Sequence, residues 1–505
     1  MPIHPLEFAQ IQTHLIKSPK PHHIVLNSLL GRNLSSSQCP QKSLQIYAHM
    51  VGSLIPQDHF TYTYVLTSCA ALLHRPLGFQ VHARLLKSGH VSDLFAQNSL
   101  LRFYSAAGDI AAARRVFAGI YNPDVVSWTS LVSALVRNGR EWDAVVAFAS
   151  MEVKSNEMTL VSVLGACCCV NALDLGRSLH GICVRRFGGN VILDNAMLNM
   201  YVRCGDMVSA RQMFDEIPRR DVISWTTLIS GYARNGESEE AVEVFREMLV
   251  NGEVMPNEAT VVSVLCALAS LGALGLGKLV HSYMIKSQTG EDGIVGNALI
   301  NMYAKCGDVG VAFEVFKGLS CKDLVSWCSI VGGMAINGRA KQALQLFSLM
   351  ICQGVVPDGV AFLALLSACC HAGLVDQASV IFDAMSKVYG IMPKKEHYTC
   401  MLDAYCRAGQ FERTEKFVKS MPDDCSRYEL GALLRASNVH GGNETICKHI
   451  KEWILGGEVD AGGGAFALLS NILAAAGRWE DADTVRDQMT ARKIDKTVAS
   501  SWIKS

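Results

Sequence analysis

The sequence predicts an all-α fold, an α-solenoid of stacked helix–turn–helix units. Three kinds of marker carry that prediction: a tryptophan context, an asparagine-led segment and a histidine each recur three times with a common long period. Inside each period the apolar residues fall at helical spacing. No strand-like alternation persists long enough to compete.

The tryptophans close the segments VVSW (Val125 to Trp128), VISW (Val222 to Trp225) and LVSW (Leu324 to Trp327), spaced by 97 and 102 residues. Asn98 opens NSLLRFYSAAG, Asn195 opens NAMLNMYVRCG and Asn297 opens NALINMYAKCG, again 97 and 102 residues apart. His82, His180 and His281 end GFQVH, GRSLH and GKLVH, at spacings of 98 and 101. Such a period is too long for a single helical hairpin, so each divides into three. In the piece that starts at Val222, Leu228 and Tyr232 mark a first helix and Asn235–Gly236 marks a turn. Ala241, Phe245 and Met248 then form the apolar stripe of a second helix. Ala144, Phe148 and Met151, and Ala343, Phe347 and Met350, repeat that stripe. One hairpin cannot cover its own apolar face, so stacking on neighbours is compulsory.

Composition narrows the function classes. Hydrophobic residues make up 50% and charged residues 18%, enough for a large core and against disorder. Lys plus Arg and Asp plus Glu are 46 each, so the zero formal charge offers no global electrostatic footprint for a nucleic acid. Any such contact must be local. The 18 cysteines, among them Cys167, Cys168, Cys169, Cys369 and Cys370, include no CxxC pair and read as buried free thiols in a reducing compartment. The three recurring histidines read as packing or polar inner-face residues, because no second metal ligand recurs at a helical offset. Val261 to Gly277 carries no charge, which makes a membrane span the minor alternative there. Residues 1–20 hold one acid, Glu7, and no Arg, so a transit peptide has slight support and a secretory signal none.

These motifs resemble the plant pentatricopeptide repeat family, in its PLS subclass and E subgroup. The NxLxxMYxxCG-like segments, the VSW starts and long-repeat ends such as GFQVHARLLKSG (Gly78 to Gly89) carry the resemblance, from about His23 to the C-terminus. It implies a right-handed α-solenoid, or superhelix, of pentatricopeptide repeats. P repeats are expected at 23–58, 125–156, 222–257 and 324–358, and L repeats at 59–93, 157–190 and 258–292. S repeats are expected at 94–124, 191–221 and 293–323, followed by a final L/S pair at 359–394 and 395–426. The 125–156 repeat is about three residues short. The domain organisation that follows is an N-terminal segment with a truncated repeat at 1–22, the repeat array at 23–426 and an E-type extension at 427–505. Within that extension YELGALLRASNVHGGNE, Gly463 to Met489 and Ser501-Trp502-Ile503 match the family. Leu430, Leu473 and Val498-Ala499 depart from its usual Trp, Tyr and Pro-Gly. No HxE with a following CxxC exists, so the set needed for cytidine deamination is missing from these residues.

The resemblance also implies which residues read single-stranded RNA. The fifth and last residues of a repeat read the base edge, and the second packs on its face. In the P repeats these pairs are Asn27 with Asp58, Thr129 with Asn156, and Thr226 with Asn257. In the S repeats they are Asn98 with Asp124, Asn195 with Asp221, and Asn297 with Asp323. An amide can donate and accept at such an edge, and a hydroxyl can do so at one point. The base-packing candidates are Ile24, Phe95, Val126, Ile192, Ile223, Ile294 and Val325, all apolar. Cys328, paired with Asp358, departs because a thiol reads poorly, and the L repeats offer Thr63, Val161, Val262 and Leu363 as spacers or weak readers. By the family code the array expects 5′-U-N-U-A-N-U-A-N-U, from Asn27 to Asn297. The same Asn and Asp residues also suit ordinary helix caps.

The implied function is site recognition for C-to-U editing of an organelle transcript, in the mitochondrion or alternatively the chloroplast. The implied partners are the RNA, a DYW-type deaminase acting in trans and multiple organellar RNA-editing factors, with no membrane, no cofactor, no metal and no catalytic residue. The alternatives are an organelle RNA splicing, processing or stability factor, and a tetratricopeptide-like protein-binding scaffold.

Overall fold

A computed structural model of the chain describes residues 22–35, 40–287, 290, 292–421, 469–471, 473–474 and 478–491. Every regular element among the described residues is a helix. Their contacts divide the chain into two compact units, Met1–Glu237 with Val244–Met255, and Ser238–Glu243 with Pro256–Ser505.

The first unit holds the hairpins α1 (His22–Ser35) with α2 (Pro40–Gly52), α3 (His59–Ala71) with α4 (Arg75–Lys87), α5 (Leu94–Ala107) with α6 (Ile110–Ala118), and α7 (Val125–Arg137) with α8 (Glu141–Ala149). It continues with α9 (Glu157–Val170), α10 (Leu173–Phe187), α11 (Val191–Arg203), α12 (Met207–Glu216) and α13 (Val222–Arg234). Helix α14 (Ser238–Asn251) divides between the units. The second unit holds α15 (Glu258–Leu271), α16 (Leu274–Lys286), α17 (Gly293–Lys305), α18 (Val309–Gly318), α19 (Leu324–Ile336) and α20 (Ala340–Cys352). After these come α21 (Gly359–His371), α22 (Val375–Lys387), α23 (Lys395–Arg407), α24 (Phe411–Lys419) and α25 (Trp479–Ala491). From α1 to α23 each odd-numbered helix starts at the expected repeat start or one residue before it. The short 125–156 repeat lacks the last turn of its second helix: α8 has 9 residues where α20 has 13.

Within each unit the odd-numbered helices form a row. In the first unit α3 packs on α5, α5 on α7, α7 on α9 and α9 on α11. In the second, α15 packs on α17, α17 on α19, α19 on α21 and α21 on α23. This is the stacking that a one-sided hairpin demands. Recurring contacts build it. The edge of Phe117 meets Trp128, Phe214 meets Trp225 and Phe316 meets Trp327, with ring centroids 4.7, 4.7 and 4.8 Å apart. Each of these joins the second helix of one hairpin to the VSW start of the next. The turn glycines Gly205 and Gly307 take φ of +76° and +86°, a left-handed conformation that other residues adopt only with strain.

The uncharged stretch Val261 to Gly277 is not one helix. Gly272, at φ +64°, separates α15 from α16. No helix among the described residues is long and apolar enough to cross a membrane. The cysteines among the described residues are free thiols. Cys69, Cys167 and Cys369 are buried as expected, whereas Cys169 and Cys266 lie on the solvent side of first helices, Cys321 lies in the turn before α19 and Cys352 ends α20, all four exposed. Of the leading segment at 1–22 with its truncated repeat, residues 1–21 lie outside the described residues, as do the stretch around Leu430 and Val498-Ala499, and His22 opens α1. Leu473, which replaces the family's Tyr, is fully buried.

Close approach is most demanding where a glycine of a second helix faces the next first helix. A Cβ at Gly78 would lie 2.1 Å from the Phe103 ring, and one at Gly277 would lie 2.4 Å from the Met302 sulfur. A ring cannot bend away, whereas a methionine end can. Gly78→Ala is expected to cost about 2–3 kcal/mol and Gly277→Ala about 1 kcal/mol. Chemical denaturation of the two variants would check the order, and equal losses would contradict it.

Candidate functional site

The site is built from helix starts. Each first helix needs acceptors for its leading N–H groups, and the residue before it provides one. Asp58, Asp124, Asn156, Asp221, Asn257, Asp323 and Asp358 all cap in this way, each accepting from the backbone N–H of the third helical residue. The capping role allowed by the sequence is therefore real for every last-position residue singled out there. It does not use up the group. In Asp58, Asp221 and Asp323 the capping carboxylate also accepts from the preceding hairpin.

That second contact involves the fifth residues. The Asn27 amide donates to both oxygens of Asp58 at 2.8 and 2.9 Å. The Asn195 amide donates to both oxygens of Asp221 at 3.2 Å. Asn297 makes a side-chain hydrogen bond to Asp323. Thr129 lies 3.4 Å from the Asn156 carbonyl oxygen and 2.6 Å from the Thr159 hydroxyl. Asn98 sits at the same register before Asp124, with its carbonyl oxygen buried and unpartnered. Thr226 stands in the first unit and Asn257 in the second. Four of the fifth-position groups thus meet the last-position groups expected of them.

Hydrogen bonding sets the charge of the caps. Burial pushes the Asp58 carboxyl up, but Thr61 and the Asn27 amide more than offset it, leaving it below the ordinary carboxylate range. Asp221 is lowered in the same way, its burial outweighed by Ser224 and Asn195. For Asp323 the Ser326 hydroxyl and N–H are the main cause, with Asn297 adding to them. These carboxylates stay ionised at neutral pH and accept only. Cys328 fits its doubtful status: burial and the neighbouring Asp358 push its thiol up to about 12, and it lies 3.9 Å from that carboxylate. It remains a neutral, weak donor.

Within each unit, exposed apolar side chains stand beside the pairs. Ile24, Phe95, Val126, Ile192, Ile223, Ile294 and Val325 are all exposed, Ile294 to 72%. Each is the second residue of its expected repeat, on the outer side of a helix start. Sequence reasoning left out the L-type hairpins, yet Phe60, Met158 and Val360 hold the same position and are exposed too. Counting two residues into each repeat would have found them. The L-type fifth residues Thr63, Val161, Val262 and Leu363 are half-buried. The Thr63 hydroxyl donates to its own helix, to the His59 carbonyl at 2.8 Å.

Sequence reasoning also passed over the third helical residue. Ser127, Ser224 and Ser326 donate their hydroxyls to the capping carboxylates at 2.9, 2.7 and 2.6 Å. The V-S-W triplet now reads letter by letter: an exposed apolar residue, a cap partner and a packing ring. The recurring histidines are packing residues. His82, His180 and His281 hydrogen-bond through Nδ1 to the hydroxyls of Tyr104, Tyr201 and Tyr303 at 2.6, 2.8 and 2.8 Å. Among the described residues no group of three or more His, Cys, Asp or Glu is placed to hold a metal ion.

Known proteins share this pattern. The PPR repeat matches residues 126–155, 195–222, 297–324, 325–355 and 396–425, and the PPR repeat family matches 220–270. The pentatricopeptide repeat domain matches 345–408, and the E motif matches 458–504. A putative pentatricopeptide repeat-containing protein of Arabidopsis thaliana is 36% identical over 498 residues, 96% of this chain and 87% of its own length. Another Arabidopsis thaliana pentatricopeptide repeat-containing protein is 35% identical over 503 residues, 98% and 89% of the respective chains. The crystal structure of the pentatricopeptide repeat protein PPR10 from maize aligns at 18% identity and a TM-score of 0.54, covering 96% of this chain and 81% of that one. That last likeness concerns the fold alone.

A pH dependence follows from the caps. Their carboxyls are lowered on folding, so they contribute stability above the ordinary carboxylate pKa of about 3.9 and lose it as pH falls through the folded values. Asparagine caps a helix as well as aspartate but does not titrate. The variant Asp58→Asn/Asp221→Asn/Asp323→Asn should therefore lose less thermal midpoint than the parent between about pH 5 and pH 3. Parallel melts would test this, and superimposable pH profiles would rule it out.

Proposed function

Because the chain belongs to the plant pentatricopeptide repeat family, in its E subgroup, we propose that it is a sequence-specific single-stranded RNA-binding protein. One observation carries this reading. An exposed apolar side chain and a polar pair of Asn or Thr with Asp or Asn return at one register, hairpin after hairpin. A single-stranded base has apolar faces and a polar edge, and the repeating unit offers a partner for each. The zero net charge is compatible with this, since specificity here comes from local polar groups rather than from a global basic surface.

In this proposal Asn27, Asn98, Asn195 and Asn297, with Asp58, Asp124, Asp221 and Asp323, read uridine. Thr129 and Thr226, with Asn156 and Asn257, read adenosine. Ile24, Phe95, Val126, Ile192, Ile223, Ile294 and Val325 pack on base faces. The bound sequence is then 5′-U-N-U-A-N-U-A-N-U, with the array at 23–426 as reader and 427–505 as the extension.

The E motif favours editing-site recognition over splicing or processing. The protein would hold an organelle transcript and present a cytidine to a DYW-type deaminase supplied in trans, with multiple organellar RNA-editing factors as further partners. Its own 505 residues contain no HxE followed by CxxC. Arabidopsis thaliana relatives are named both mitochondrial and chloroplastic. We place the protein in an organelle, the mitochondrion first.

A gel shift at fixed salt tests the reading. RNA carrying UNUANUANU should bind more tightly than RNA with its A and U positions exchanged, and equal affinities would sink it. Thr129→Asn with Asn156→Asp should move the preference at one base from A to U, by about 1 kcal/mol for one hydrogen bond replaced.

A further inference from the structure

We infer that the third residue of the following hairpin decides whether a fifth-position reader is free to serve a base. Asn98, Asn195 and Asn297 are the free readers, and Asn27 is held. The inference rests on the RNA reading above and sharpens it.

A carboxylate can only accept, so an asparagine beside one must turn its NH₂ toward it and its carbonyl away. Asn27 does this with Asp58, and its carbonyl then accepts the Thr61 hydroxyl at 2.7 Å, a shorter contact than the 3.0 Å from that hydroxyl to Asp58 Oδ1. Thr61 is the third residue of α3, in the next hairpin. After the S-type hairpins the third residue is serine, and its single hydroxyl proton goes to the capping carboxylate instead. The carbonyl oxygens of Asn98, Asn195 and Asn297 are left buried with no hydrogen-bond partner. Burial is not what separates the two kinds, because Asn27, Asn98 and Asn297 are each 8% exposed. The partner is.

A buried acceptor without a donor is unfavourable, and native structures rarely keep one without a reason. Rotating Asn195 or Asn297 outward to meet a base N–H trades an amide–carboxylate contact for a bond the carbonyl lacks. The same rotation at Asn27 breaks the Thr61 bond as well. Thr129 belongs with the held group, because its one hydroxyl proton already faces the Val125 carbonyl and the Thr159 hydroxyl, both at 2.6 Å. Thr159 is again the third residue of the following hairpin. The ligand group that suits the three free carbonyls is an N–H donor such as the imino group of uracil.

The test uses the full chain and UNUANUANU RNA in which one uridine at a time is 3-methyluridine, whose N3 carries no proton. Competition gel shifts should show about tenfold weaker binding for the base opposite Asn98, Asn195 or Asn297, and less than about twofold opposite Asn27. Thr61→Val removes the hydroxyl but keeps its shape, and Asp58 still caps α3. In that variant 3-methyluridine opposite Asn27 should also weaken binding about tenfold. Equal losses at all four uridines in the parent protein would overturn the inference and leave base reading intact. Absence of loss at the three S-type positions, with the RNA still discriminated, would overturn it as well. No discrimination between UNUANUANU and the exchanged RNA would instead overturn the RNA reading. Should Thr61→Val destabilise the fold, the series on the parent protein decides alone.

Discussion

Everything in this chain follows from hairpins that are apolar on one side only. None can bury its stripe alone, so each must lie against the next, and the first helices line up as a result. Phe214 on Trp225 and Phe316 on Trp327 are that requirement made specific, at nearly the same distance in both places. Once the helices are in line, any residue type repeated at one position becomes a row. The exposed Phe95, Ile192 and Ile294 owe their alignment to the buried Phe103, Met200 and Met302 further along the same helices.

The capping side chain is where folding and recognition meet. One oxygen of Asp221 holds the start of α13, and both oxygens accept from Asn195 of the preceding hairpin. Helix formation therefore positions the polar pair, and the pair in turn links two hairpins. On the proposed reading, a neutral protein selects an RNA without a strongly basic surface, because the choice lies in donors and acceptors. The cost of this arrangement is visible in the buried carbonyls of Asn98, Asn195 and Asn297, which no neighbour satisfies.

Much of this was legible in advance, because period and residue type are local properties. The VSW starts, the NxLxxMY segments and the second-helix stripes located the hairpins along the chain. Capping was legible too, since Asp or Asn before an apolar run has few other uses. The L-type second residues, Phe60 and Met158 among them, were not legible, because the aliphatic Val161, Val262 and Leu363 leave most L-type hairpins without a polar pair to mark the position. The mixed exposure of the cysteines was missed because an apolar run such as Cys167 to Cys169 does not declare which residue turns outward.

The sequence by itself determined the fold class, the hairpin register and the residue types at the fifth and last positions, since helical period and capping chemistry act over a few residues. Only the tertiary structure decided which partner each polar group takes. Asn27 and Asp58 lie 31 residues apart, and so do Arg186 and the Ser155 hydroxyl it donates to. Hydrogen bonds depend on direction as well as proximity, and direction is set by how one hairpin packs on another. Thr61 and Ser224 hold the same third position, yet only the packed hairpins show the first hydroxyl reaching the carbonyl of Asn27 and the second leaving that of Asn195 open.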